Sequence, residues 1–88
     1  AELRELARRG VVVQEGGIWF AESAVEAAAV AAARLLQHRP DGFTMSELRE
    51  ALGTSRKYAV PLATLLDGRG VTRRRDDIRI GGPRLPAV

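Results

Sequence analysis

The chain has no cysteine, one histidine and few aromatic side chains: Trp19, Phe20, Phe43 and Tyr58. Without cysteine there is no disulfide framework, no thiolate zinc site and no thiol nucleophile, and an intracellular, cytoplasmic location is expected. His38 closes an apolar helical run, the place of a surface or capping residue rather than of a ligand or base. The serines, Ser23, Ser46 and Ser55, all fall at expected helix starts, so no nucleophile and base can be paired. A phosphate loop of the GxxxxGK type is missing too. Neither an enzyme nor a bound metal or cofactor is therefore expected within these residues. Long hydrophobic runs are also lacking. The alanine-rich stretch 24–36 is interrupted by Glu26 and Arg34 and is too short to span a bilayer, so no membrane partner is expected.

With 88 residues there is room for one small domain with a modest core, and any function must be built on its surface. What the chain does have is unevenly placed positive charge. Between Thr54 and Arg79 stand seven cations, Arg56, Lys57, Arg69, Arg73, Arg74, Arg75 and Arg79, against Asp67, Asp76 and Asp77. Residues 1–53 are slightly acidic, with six arginines and eight carboxylates. An excess confined to one helix and one hairpin suggests a face that meets a polyanion, most simply nucleic acid.

A repeat gives the fold. Residues 3–20 and 63–80 share a plan at an offset of 60 without gaps: Leu6 matches Leu66, Gly10 matches Gly70, Val11 matches Val71 and Ile18 matches Ile78. Each unit reads as a helix ending near glycine, then a β-hairpin. Loops at Glu15-Gly16 and Arg75-Asp76 would pair Val11 with Phe20, Val13 with Ile18, Val71 with Ile80 and Arg73 with Ile78. The opposite face of the second hairpin would then turn Thr72, Arg74, Asp77 and Arg79 outwards, with Arg75 at the tip.

Three helices are expected between the hairpins. Ser23 and Glu26 form a capping box for the first, with Val25, Ala28, Ala29, Ala32, Leu35 and Leu36 at helical spacing up to the breakers Pro40 and Gly42. Thr44 and Glu47 form a second box, for a short helix that buries Leu48, Ala51 and Leu52 and stops at Gly53. Thr54 or Ser55 caps the third, with Tyr58, Ala59, Leu62, Leu65 and Leu66 inward. Tyr58 has an alternative as a platform for base stacking, and Trp19 is expected against its own domain or the first helix. This order is that of an α+β winged helix-turn-helix, three helices plus a hairpin wing. It divides the chain into the remnant of a preceding winged-helix domain at 1–20, a complete winged helix at 21–82 and a tail at 83–88.

Local rules are broken where the charge gathers. Arg56 and Lys57 in the first turn of the third helix oppose its dipole, whereas the first two helices place acids there. An anion at that terminus would meet free N–H groups and both cations, and a phosphate is the natural candidate. Pro61 forbids one hydrogen bond of the same helix, so either a kink or loosened first turn follows, or the helix starts late, near Val60. Arg73, Arg74 and Arg75 make a basic strand on the wing. Asp76 and Asp77 keep its tip from being uniformly positive.

The run Gly53-Thr54-Ser55-Arg56-Lys57-Tyr58-Ala59-Val60-Pro61-Leu62, with Leu66-Asp67 and Gly70-Val71-Thr72-Arg73-Arg74, resembles the last winged-helix domain of the bacterial selenocysteine-specific elongation factors, the SelB family. The resemblance covers about residues 43–80, and the preceding hairpin suits the tandem winged helices of that family. It implies a domain that grips the selenocysteine insertion hairpin of a messenger RNA, while distant amino-terminal domains bind GTP, with magnesium, and selenocysteyl-tRNA, and the whole factor works on the ribosome. The RNA-binding residues it implies are Ser55, Arg56, Lys57, Tyr58, Arg73 and Arg74, to which the charge pattern adds Arg75 and Arg79. A monomer is expected. Charge and fold alone would also suit a DNA-binding winged helix of a transcription regulator, and a protein-interaction module with a merely solvated basic wing is a third reading.

Overall fold

A computed structural model describes residues 2–88. Its elements follow in the order α1 (Glu2–Arg8), β1 (Val12–Glu15), β2 (Ile18–Ala21), α2 (Glu22–His38), β3 (Phe43–Thr44), α3 (Met45–Leu52), α4 (Arg56–Gly68), β4 (Thr72–Arg75) and β5 (Ile78–Gly81). Helices α2, α3 and α4 pack on one another around Val25, Ala28, Ala32, Phe43, Leu48, Leu62, Ala63 and Leu66. β1 and β2 form a two-stranded sheet, and a three-stranded sheet runs in the order β3-β5-β4. The mixed α+β architecture is that of a winged helix, with α3 and α4 as the helix-turn-helix and β4-β5 as the wing.

Helix starts follow the sequence at one point and depart from it at another. At α3 the capping box closes as expected, with the Thr44 N–H donating to Glu47 Oε1 at 2.8 Å and the Glu47 N–H to Thr44 Oγ1 at 3.2 Å. The bond from the Thr44 backbone N–H, helped by Arg39, holds the Glu47 carboxyl below its ordinary value. The Ser23 box does not form. Ala21 occupies the cap of α2 without a side-chain bond, because β2 runs straight into the helix and the Glu22 N–H donates to the Val11 carbonyl at 2.8 Å. Ala51, expected inside, is exposed on the outer side of α3.

Both hairpins slip by two residues from the expected register. Val13 faces Phe20 and Glu15 faces Ile18; Arg73 faces Ile80 and Arg75 faces Ile78. The loops are Gly16-Gly17 and Asp76-Asp77. Gly16 and Gly17 have φ of 60° and 75°, the left-handed pair that a tight two-residue hairpin turn requires, and Asp76 takes a φ of 55° in the second. A shift of two preserves which residues share a face. The first hairpin therefore turns Val13, Ile18 and Phe20 onto the core as its pattern suggests.

The residues before α2 share the core of the rest. Phe20 is buried within it, β1 touches α4, and a side chain built on Gly16 would meet Pro61. Strand β2 extends through Ala21, directly before α2. Gly42 shows a close approach of another kind: its φ is 125°, and a Cβ there would lie 2.9 Å from the Arg79 carbonyl, so this connection can pass under β5 with glycine alone. The segment 83–88 folds back, with Leu85 against the core and the Gln37 side-chain amide donating to the Val88 carbonyl.

Candidate nucleic-acid interface

α4 begins at Arg56, not at Val60, and runs unbroken through a buried Pro61 to Gly68. Ser55 is its cap residue but makes no side-chain capping bond. The first N–H groups of a helix have no intrahelical partner, so this terminus presents open donors beside the exposed side chains of Ser55, Arg56 and Lys57. Tyr58 is exposed as well, which corrects its expected place in the core. The Lys57 ammonium lies 5.6 Å from the centre of its ring, a contact that joins the two side chains on the outer surface.

The wing supplies the second set of cations. Arg73, Arg74 and Arg75 are exposed, and none has a carboxylate partner among the described residues; the same holds for Arg56 and Lys57. Arg74 Nε donates to the Asp76 carbonyl at 3.1 Å, so the turn itself steadies this guanidinium.

Arg79 is a correction. It does not point outwards with Arg74. It is 8% exposed, and its Nη2 donates to Asp67 Oδ2 at 3.1 Å. Thr72, on the same hairpin face, is also buried, and its hydroxyl donates to Asp67 Oδ1 at 2.6 Å. The polar face of the wing is thus turned towards α4, because Asp67 in its last turn neutralises the buried cation and satisfies the hydroxyl. Ile78 and Ile80 lie on the other face, half-buried. Arg69 is likewise held internally, by Glu22.

Between the wing and the helix-turn-helix lies a groove of about 420 Å³. Its walls are the start of α3 at Thr44, Met45 and Ser46, the stripe Arg56, Val60 and Thr64 on α4, and Arg74, Asp77 and Arg79 from the wing. Arg56 and Arg74, far apart in sequence, thereby line one groove. Val60, Thr64 and the start of α3 were not singled out from the sequence. The spacing of four residues from Arg56 to Val60 to Thr64 was a sufficient signal for the α4 part; nothing local marks the α3 part. Arrangements that could hold a metal ion, groups of three or more His, Asp or Glu side chains, are absent among the described residues, and no described helix is long and apolar enough to cross a membrane.

Comparison with known proteins agrees with the fold. No curated protein matches the sequence. Among solved structures, the chain is similar to the mRNA-binding domain of elongation factor SelB from E. coli, determined in complex with SECIS RNA, with a TM-score of 0.77 and 23% identity. The likeness covers 91% of this chain and 66% of that one, and at this identity it establishes the winged-helix fold. The family described as elongation factor SelB, winged helix, matches residues 34–80, more than half of the sequence, and the chain belongs to that family.

Proposed function

We propose that this chain binds a messenger-RNA stem-loop of the selenocysteine-insertion class. The observation that carries the reading is the gathering of five exposed cations without carboxylate partners among the described residues, Arg56 and Lys57 at an open helix start and Arg73, Arg74 and Arg75 on the wing beside it. The similar E. coli domain, solved with SECIS RNA, supports RNA as the polyanion.

An A-form helix has a major groove too deep and narrow for a reading helix, so the surface grips phosphates and splayed loop bases instead. The open N–H groups of α4 and the Ser55 hydroxyl take a phosphate oxygen. Arginine bridges a phosphate or a guanine edge with two bonds. Tyr58 offers its ring to an unpaired base. Arg79, in the groove wall, is tied to Asp67 and contributes by holding the wing.

The role is binding rather than catalysis. In the complete factor, GTP, magnesium and selenocysteyl-tRNA belong to other domains, residues 1–20 are the wing of a preceding winged helix, and the grip on the message brings the factor to the ribosome in the cytoplasm as a monomer. The test is a titration of the chain with RNA stem-loops carrying a randomised loop and with duplex DNA, at matched salt. Tighter binding to stem-loop RNA is expected. Preference for the duplex would return the chain to the DNA-binding reading.

A further inference from the structure

The two helix-hairpin units are the same backbone object. Gly10 and Gly70 donate to the carbonyls of Ala7 and Asp67, Val11 and Val71 to those of Leu6 and Leu66, and Glu22 and Gly82 to those of Val11 and Val71, each pair separated by 60 residues. The strand registers agree too, Val13 with Phe20 and Arg73 with Ile80. At the three positions where the second unit has Asp67, Thr72 and Arg79, the first has Ala7, Val12 and Trp19. A helix and hairpin of this kind therefore form without any polar hub.

Resting on the reading of function above, we infer that Asp67 is a positioning residue for RNA, holding the wing against α4 so that Arg74 faces Arg56 across one groove. Asp67 lies in the last turn of α4 and grips both strands of the wing at once, β4 through Thr72 and β5 through Arg79. Arg79 stands directly opposite Arg74 in the β4-β5 pairing, so the residue that Asp67 anchors is the cross-strand neighbour of the one that meets the ligand. By pairing with Arg79, Asp67 also cancels the like charge beside Arg74. The carboxylate thus fixes where the wing's cation points while staying out of the interface itself.

A merely structural Asp67 would weaken every contact alike, whereas a positioning one acts on the wing's share. The test is a pair of double-mutant cycles on the 88-residue chain, using the tightest-binding stem-loop RNA of the randomised panel at a temperature where circular dichroism shows each variant folded. In the natural background Arg74→Ala and Arg56→Ala should each weaken binding by about tenfold. In the Asp67→Ala background, Arg74→Ala should cost less than about twofold while Arg56→Ala keeps its full factor, a selective loss of additivity. Should Asp67→Ala not fold, Thr72→Val, which removes one hydroxyl from the same hub, carries the cycle, with the Arg74 factor reduced to about threefold. An unchanged Arg74 factor in the folded variant overturns this inference alone. A natural chain that binds no stem-loop overturns the reading of function, and this inference with it.

Discussion

The first hairpin and the wing share register, turn length and helix-end hydrogen bonds, yet one is Val13-Gln14-Glu15-Gly16-Gly17 and the other Arg73-Arg74-Arg75-Asp76-Asp77. The first lays Val13, Ile18 and Phe20 on the core; the second turns Thr72 and Arg79 to α4 and leaves three arginines in solvent. The difference separates what the fold needs from what it does not. A hairpin of this shape forms with no cation in its strands or turn, so the fold does not require the arginine run of the wing.

The largest effect is expected from erasing that difference. Writing the first hairpin into the wing, as Arg73→Val, Arg74→Gln and Arg75→Glu, should preserve the fold by circular dichroism. Stem-loop affinity should fall by about 100-fold or more, and the log–log salt slope should shrink by about 2 as phosphate contacts disappear. Next comes the polar hub. Asp67→Ala leaves Arg79 buried without its partner and should cost about 2 to 3 kcal/mol in denaturant unfolding, below the usual range for a buried pair because Asp67 keeps a quarter of its side-chain surface exposed. Adding Thr72→Val and Arg79→Trp, which completes the trio of the first unit, should recover at least half of that loss.

A smaller change sharpens the contrast between α4 and the other helices. Arg56→Ala should weaken RNA binding by about tenfold in a fluorescence titration. It should leave the melting temperature unchanged or slightly raised, since removing a cation from a helix start relieves about 0.3 to 1 kcal/mol of dipole conflict. The smallest effect concerns α3, where an acid does occupy the first turn. Glu47 has its folded pKa lowered from the ordinary 4.5, so its contribution to stability is complete above that value and is lost as pH falls through the lower folded one. Glu47→Gln can keep the capping bonds without titrating, and unfolding measured on acidification should then show a shallower loss of stability below the ordinary carboxylate range.

Much of this was legible in the sequence because it is local. The Thr44 capping box and the glycine stop at Gly53 depend on neighbours in the chain, the offset of 60 shows when one segment is set against the other, and all are present. The Ser23 box failed because a strand bond to Val11 places Glu22 at the start of α2. The register slipped because the tight turns centre on Gly16-Gly17 and Asp76-Asp77, one residue later than read. The orientation of the wing was invisible to periodicity, which assigns Ile78 and Ile80 inward and Arg79 outward. A single carboxylate twelve residues away reverses that preference by pairing with Arg79. Of the site, Ser55, Arg56, Lys57, Tyr58 and the three wing arginines lie exposed on α4 and the wing. The α3 wall of the groove came from tertiary packing, which no local spacing records.

The most direct test is to map the contact surface by adding a stem-loop RNA to isotopically labelled protein and following each backbone amide by NMR. The expected result is large shifts centred on residues 55–58 and 73–75 and the groove between them, with residues 12–21 of the matching hairpin silent. Shifts centred on the first hairpin, or spread evenly over both units, would contradict the account.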